Sequence, residues 1–311
     1  MVWVVLRHMG TFIGTLIGAV VLVQALLILA PGDAIDSLPN AEEVRAVLEA
    51  EWQLDQSPPV QVLSYLYDVA TGNLRTSLVY RPGKPVVEII AMPVLRSLSI
   101  LMAALTLSVG CGTAMAWFTA GRMSPVRWVT QAVSIVPVFL IAHMGIYLFN
   151  VVAWQLMQAN AIARPDWFAL PIEDHPLRTA LAIVVLAVGS GALADVQTEV
   201  ENELVRIRAS GYVDAARARG AALWPHVLLN LLPSLSTLIA AKAAFFVGGL
   251  VILEKILLIN GVGAILWRAT LERDYPLALG ITLVTAAVVV AMRLFGDTVR
   301  VAVDPRRRGG Q

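Results

Sequence analysis

The sequence predicts an all-α membrane protein with six transmembrane helices and a small insertion after the first helix. Of its 311 residues, 58% are hydrophobic and only 14% are charged, whereas soluble domains carry about 25% charged residues. Several uncharged segments also approach the roughly 20 residues that a helix needs to cross a bilayer. The net charge of +1 gives no basic excess for nucleic-acid binding. The single cysteine, Cys111, excludes an intramolecular disulfide or a cysteine metal cluster.

Six segments are candidate spans. The first lies within residues 1–30, and it is uncharged over residues 12–30. We interpret it as an uncleaved span, because the Pro31-Gly32-Asp33 that follows does not resemble a signal-peptide cleavage site. The other five, in chain order, are residues 97–121, 128–150, 177–194, 235–253 and 275–292, the last extending to 295.

Residues 31–96 are polar and predominantly acidic, which predicts a small folded insertion on one side of the membrane. Apolar residues at helical spacing predict a short helix over residues 41–53. The remainder of the chain, residues 97–305, is predicted to form a five-helix core. A polar loop over residues 195–234 interrupts this core, and a basic tail, residues 306–311, follows it.

The distribution of arginines predicts the orientation of the chain. Six spans place both termini on one side, and the positive-inside rule assigns that side to the cytoplasm. The short basic features then all face inward, and the acidic 31–96 insertion faces outward. These inward features are Arg7, Arg122, Arg127, Arg206, Arg208, Arg217, Arg219, Arg300 and Arg306 to Arg308.

Residues 212–220, in the polar loop between the fourth and fifth spans, predict a short helix. Alanine and arginine are strong helix formers, and Gly220 suits the end of a helix. Ala215 and Ala216 leave a slim surface that a partner's groove can approach closely, while Arg217 and Arg219 can pair with a partner's carboxylates. Composition alone favours the simpler interpretation, a solvated cytoplasmic helix between two spans.

The spacing within this loop resembles the coupling motif of binding-protein-dependent ABC permeases. The matching pattern is Asp214-Ala215-Ala216, three residues, Gly220, nine residues, and Asn230-Leu231-Leu232-Pro233. Both Asn230 and His226 are typical of the peptide-permease branch. Further similarities are Pro31-Gly32-Asp33, Leu54-Asp55-Gln56, Gly72-Asn73-Leu74 with Ser77, Glu254 with Gly261-Val262-Gly263, Asp274-Tyr275-Pro276, Asp297 and Asp304-Pro305-Arg306. Over most of its length the chain therefore resembles the B-type subunit of the oligopeptide/dipeptide permease family.

This resemblance implies a MetI-like type I ABC importer permease in the bacterial cytoplasmic membrane. Such a subunit performs no catalysis and binds no cofactor, since partner ATPase subunits bind ATP and magnesium. The implied partners are a second homologous permease, two cytoplasmic ATPase subunits, an extracytoplasmic solute-binding protein and membrane lipid. The implied substrate is a peptide or similar small solute, with nickel, opines or sugars as alternatives. The implied ATPase contacts are Tyr212, Asp214, Ala215, Ala216, Arg217, Arg219, Gly220, His226, Asn230 and Pro233.

Some positions depart from the family pattern. Asp214 replaces a glutamate and keeps its charge. The order of Glu201 and Arg206 reverses the usual arginine-then-glutamate order, and Gly211 stands where aspartate is usual. Together these departures suggest a partner groove specific to this system. Other departures are Ala34, Asn73, Arg75 and Leu257.

Three ionisable residues fall inside or beside predicted spans. Lys242, near the cytoplasmic end of the fifth span, either extends to the interface or lines the transport path. Glu254, next to Lys255, either belongs to a gate or docking pair or lies in the interface. His143 either bonds to a neighbouring helix or carries protons. Asp174 and His175 are adjacent, but no third ligand at suitable spacing predicts a metal site.

Other functional classes need features that we do not find in the sequence. An ion-coupled secondary transporter, the main alternative, usually has mid-span carboxylates or inverted repeats. An intramembrane enzyme needs a catalytic pair or a metal site within its spans. An ABC exporter subunit does not account for the coupling motif together with the outer insertion. The sequence also has no P-loop, so we expect no ATP hydrolysis by this chain.

Overall fold

The computed structural model describes residues 10, 13–22, 25, 56–159, 176–220 and 224–303. This part of the chain is almost entirely helical, with no strand and a single isolated bridge between Thr76 and Pro85. The all-α prediction is therefore confirmed. The predicted helix at 41–53, the motifs at 31–33 and 304–306, Asp174 with His175, and the basic tail lie outside the described residues.

The helices are numbered here in chain order. They are α1 (Ile13–Leu22), α2 (Pro58–Ala70), α3 (Val86–Thr119), α4 (Pro125–Ser134), α5 (Val138–Gln158), α6 (Pro176–Gly189), α7 (Ala192–Arg208), α8 (Gly211–Ala218), α9 (Trp224–Leu257), α10 (Val262–Leu271) and α11 (Tyr275–Val303).

Four helices of the described residues are long and apolar enough to cross a membrane: α3, α5, the Asn230–Leu257 part of α9, and the Tyr275–Val299 part of α11. Helices α6 and α7 meet at an angle of 47° and together supply a fifth candidate span. Helix α1 is apolar, but its described part is shorter than a span. The fold is thus that of a multi-pass membrane protein, and its span count is compatible with the predicted six.

Proline sets the position of the third span. The predicted segment 128–150 contains a break at Pro137, which is the N-cap of α5. Proline has no N–H donor and suits a helix start, where no intrahelical partner is needed. Residues 128–134 belong instead to the short helix α4, which has no buried residue. The apolar helix accordingly runs to Gln158, beyond the predicted end.

Three other boundaries differ from the prediction. Helix α3 begins at Val86, well before residue 97. The loop predicted over 259–274 contains the ten-residue helix α10. Helix α9 starts at Trp224 and runs to Leu257, so it includes the end of the predicted polar loop and the whole fifth span.

The chain divides into two compact units. The first comprises Met1–Ser97 and Asn260–Ala291, and the second comprises Leu98–Ile259 and Met292–Gln311. The core of the first unit joins the start of α3 to α10 and to the start of α11. Tyr65 of α2 lies in a second apolar cluster of this unit, with Leu279 and Leu283, and its burial raises the pKa of Tyr65 to about 12, against the opposing charge of Arg75. The buried members of the core are Val86, Ile89, Ile90, Val262, Ile265, Ala269, Leu277, Ala278 and Ile281.

Asp274 organises the polar part of the first unit. Its carboxylate is fully buried, and its Oδ2 accepts hydrogen bonds from Ser77 Oγ (2.5 Å), Val79 N (3.1 Å) and Tyr80 N (3.0 Å). Its Oδ1 lies 3.4 Å from Leu277 N, in the first turn of α11. One buried side chain therefore connects the turn after α2 to the start of α11.

The second unit contains a close approach between two helices. A Cβ on Gly296 of α11 would lie 2.7 Å from Ala240 Cβ and 2.8 Å from Ser236 O of α9. Such distances are shorter than side-chain contacts allow, so glycine is required for this separation. Small residues commonly permit close helix packing inside membranes.

Candidate functional site

The candidate site is α8, the short helix at Gly211–Ala218. It follows α7 after only two residues, and it ends before Gly220, whose φ of 67° lies in the left-handed region. Glycine adopts this conformation without the strain of a side chain. The predicted short helix and its termination at Gly220 are thus confirmed. A Cβ at Gly220 would meet nothing within 4 Å, so the requirement for glycine is conformational rather than steric.

Among the described side chains of α8, that of Val213 anchors the helix to the rest of the second unit. Val213 is only 2% exposed and belongs to an apolar cluster, whereas Asp214 and Ala215 beside it are exposed. Sequence reasoning missed Val213, although it is the one β-branched residue of the helix. The other buried members of the cluster are Ala116, Ala120, Val196, Val200, Leu204, Ile207, Val227, Leu231 and Leu235.

The predicted contact residues lie along α8 and the first turns of α9. The backbone of Tyr212, Ala216 and Arg217 is in α8, and that of His226 is in α9. Arg219 is exposed, and its Nε donates to Ala215 O (3.1 Å), so it satisfies a carbonyl at the C-terminal end of α8.

The last two motif residues differ in exposure. Asn230 is exposed, whereas Pro233 is half-buried inside α9. Proline cannot donate to the helix ladder. The Pro233 carbonyl in turn accepts hydrogen bonds from Ser236 Oγ (2.9 Å) and Thr237 Oγ1 (3.0 Å). The motif therefore continues from an exposed short helix directly into an apolar span.

Glu201 does not face a partner. It is only 4% exposed, and its Oε1 accepts hydrogen bonds from Thr119 Oγ1 and from Gln197 Nε2 (3.0 Å). Its Oε2 lies 3.4 Å from Arg127 Nη1. Glu201 thus holds α7 to the end of α3 and to α4. The structure does not support the expectation that Glu201 shapes a partner-specific groove.

Arg206, which was also expected to shape a partner-specific groove, is likewise paired within its own helix. Arg206 donates to Glu203 Oε2 from Nε (2.9 Å) and also contacts Glu203 Oε1. Glu203 is buried, while the Arg206 side chain is largely exposed. The Arg206 charge is therefore partly neutralised before any partner reaches it.

Lys242 lies near the middle of the candidate span Asn230–Leu257, further from its end than the sequence predicts. Its Nζ forms an ion pair with Asp195 Oδ2, in the first turn of α7. The Lys242 Nζ also lies 5.7 Å from the centroid of the Phe245 ring. Sequence reasoning missed Asp195, because the fourth span was ended one residue before it. A lone lysine in one span and a carboxylate adjoining another are candidates for such a pair, but the sequence does not show that their helices pack together.

The two other ionisable residues lie in different surroundings. Glu254 is fully buried in α9, whereas the adjacent Lys255 is exposed, so the two side chains do not form a joint surface. His143 is exposed, and its Nδ1 lies 2.9 Å from Phe139 O in its own helix. Within the described part of the chain, the contact of His143 is thus inside α5 and not with the neighbouring helix that the sequence suggested. Among the described residues, no group of three His, Cys, Asp or Glu side chains is placed to hold a metal ion.

Comparison with known proteins identifies the family. The profile described as "Binding-protein-dependent transport system inner membrane component" matches residues 104–309. A protein of Brucella suis biovar 1 named as a peptide permease is 30% identical over 94% of this chain and 95% of its own length. A peptide ABC transporter permease of Sinorhizobium fredii is 28% identical, with 98% of each chain covered. The dipeptide transport system permease DppB of Alkalihalophilus pseudofirmus is 24% identical, over 97% of this chain and 98% of its own.

Apolar helices of spanning length, joined by a segment that presents a short exposed helix, define the class of multi-pass membrane permeases. The chain belongs to the family of binding-protein-dependent transport system inner membrane components, the permease subunits of ABC importers. The resemblance drawn from the coupling motif is therefore confirmed at the level of the family. This membership also favours an ABC permease over the ion-coupled secondary transporter.

Proposed function

We propose that this chain is the permease subunit of an ATP-driven importer for peptides or similar small solutes, delivered by a solute-binding protein. The observation that carries the proposal is α8. It presents exposed Asp214 and Ala215 on a helix that Val213 anchors to the apolar cluster. The names of the similar proteins support peptides over nickel, opines or sugars as substrate.

In the proposed mechanism, α8 docks in a groove of a cytoplasmic ATPase subunit. The ATPase binds ATP and magnesium, and this chain binds no cofactor. Closure of the ATPase pair displaces α8, and Val213 transmits that displacement to α7 and α9 through the apolar cluster. The spans then change between inward- and outward-facing states. This change requires that ATPase contacts differ between the two states.

The proposed assembly contains this permease, a second homologous permease, two ATPase subunits and an extracytoplasmic solute-binding protein. Both termini and the segment around α8, within the predicted loop 195–234, lie in the cytoplasm, and the insertion predicted over residues 31–96 lies outside, on the side from which the binding protein approaches. The arginine distribution supports this orientation, since cytoplasmic loops carry an excess of positive residues. The ATPase contacts within the cytoplasmic loop are those predicted from residues 212–233.

Co-purification tests this assembly. A tagged form of the complete chain, extracted in mild detergent from its native membrane, is expected to retain an ATPase with a P-loop and a second permease in fixed proportion. Chemical cross-linking before extraction is expected to add the solute-binding protein. Mass spectrometry of small molecules released from that binding protein then identifies the solute class. Purification of this chain without any ATPase would contradict the proposal, and a non-peptide solute would contradict its substrate assignment.

A further inference from the structure

Helices α7 and α9 form a hairpin with α8 at its tip. Helix α7 ends at Arg208, α8 follows at Gly211, and α9 begins at Trp224, so the chain reverses direction around α8. The apolar cluster joins the two long helices along this hairpin, with α7 contributing Val196, Val200, Leu204 and Ile207, and α9 contributing Val227, Leu231 and Leu235.

The ion pair between Lys242 and Asp195 lies at the other end of this hairpin. Asp195 immediately precedes Val196, the first α7 residue of the cluster, and Lys242 follows Leu235, the last α9 residue, by two turns. The two helices are therefore connected by α8 at the tip, by apolar contacts along their length, and by opposite charges at the base.

The base of the hairpin adjoins the bend between α6 and α7. Gly191 has a φ of 73° and caps α7, one helical turn before Asp195. The two helices meet there at 47°. A bend at a left-handed glycine has no continuous backbone ladder to fix its direction. The direction of α7 at this bend must therefore be fixed by contacts that its first turn makes. Asp195 makes one of these contacts, and its side chain is charged.

The pair also accounts for a lysine inside an apolar span. A lone charge at mid-span is costly, and such residues are usually paired or functional. Lys242 is 21% exposed and Asp195 is 47% exposed, so the pair is not sealed from its surroundings. Its contribution to stability alone is modest, because the cost of withdrawing two charges from water largely offsets their attraction. A role in positioning explains its location better than a role in stability.

We propose that Lys242 and Asp195 are a positioning pair that holds the base of the hairpin, so that displacement of α8 moves α7 and α9 as one body. Without the pair, α7 slides or rotates at the Gly191 bend, and the displacement is dissipated before it reaches the spans. This inference rests on the proposed function, because it assumes that an ATPase displaces α8.

The test uses the whole importer in proteoliposomes and measures how strongly the solute-binding protein stimulates ATP hydrolysis. Four variants are compared: Lys242→Met, Asp195→Asn, both together, and the exchange Lys242→Asp with Asp195→Lys. The two single variants are expected to lose most of the stimulation, because each leaves one charge of the pair without its partner, inside a span or beside one. The neutral double variant is expected to assemble, since ion pairs are often replaceable by uncharged residues without loss of stability. It should nevertheless remain uncoupled, and the exchange variant should recover.

Matched controls remove one charge from comparable positions without touching the pair. Glu199→Gln acts one turn further along α7, and Arg293→Met removes an exposed cation from the candidate span of α11. Both are expected to retain full stimulation. Full stimulation in the neutral double variant, or an exchange variant as uncoupled as the single ones, would overturn the positioning role. Absence of stimulation in the wild-type importer would instead contradict the proposed function.

Discussion

Replacement of Ala215 by tryptophan is expected to abolish solute uptake while the protein still inserts and folds. Ala215 is exposed on α8, and the neighbouring Val213 carries the anchoring contact, so a bulky side chain at 215 disturbs no packing among the described residues. The tryptophan side chain would instead prevent α8 from entering the groove of the ATPase. The measurement is ATP-dependent solute uptake in cells. An immunoblot of the membrane fraction checks that the variant inserts.

The matched control is Ala70→Trp. Ala70 is the exposed last residue of α2, in the insertion after the first span, so the same change of volume is made outside the unit that contains α8. This control should transport like the wild type. Gly220 is a less direct target, because any side chain there adds backbone strain of about 1 kcal/mol at its positive φ. Normal uptake by the Ala215→Trp variant would contradict the docking role of α8.

Replacement of Asp274 by alanine is expected to destabilise the first unit by about 3–5 kcal/mol, because it leaves several donors without an acceptor. Ser77 Oγ and the N–H groups of Val79 and Tyr80 all donate to its carboxylate in buried or half-buried positions. Its oxygens also lie 3.3 Å from Leu78 N and 3.4 Å from Leu277 N. A large fall in the midpoint of thermal unfolding, measured in detergent, is the expected result.

Two variants calibrate this effect. Asp274→Asn keeps the shape and one carbonyl acceptor, so we expect a loss smaller than that of alanine. Glu88→Ala removes an exposed carboxylate in the first turn of α3, where surface changes usually stay within about 0.5 kcal/mol. An Asp274→Ala variant that unfolds at the same temperature as Glu88→Ala would show that the carboxylate does not organise this unit.

The sequence predicted the features that depend on local pattern. Apolar length alone identified the spanning segments, and the alanine- and arginine-rich segment that ends at Gly220 identified α8, because helix propensity and glycine termination act within a few residues. The edges of the spans were less predictable. Pro137 lies inside an apolar segment of the right length, and composition does not show that it starts a helix instead of interrupting one.

The features that the sequence did not predict depend on which helices pack together. Asp195 lies just outside an apolar segment, and only the packing of α7 against α9 brings it to Lys242. Glutamate is usually a surface residue, but the end of α3 packs over Glu201 and buries it against Thr119. Asp274 is likewise buried by distant residues, since most of its hydrogen-bond donors, such as Ser77, lie nearly two hundred positions away. Such long-range pairs have no local sequence signal.

Site-specific photo-cross-linking from position 215 tests most directly whether α8 is the contact with the ATPase. The chain has one cysteine, Cys111, so Cys111→Ala combined with Ala215→Cys gives a single thiol to which a benzophenone maleimide can be attached. Illumination of membranes that contain the whole importer should yield an adduct with the ATPase subunit, and ATP should change its yield. The same probe at Ala70→Cys should give no such adduct. Adducts from position 215 that contain only lipid, or that match those from position 70, would contradict the proposed coupling.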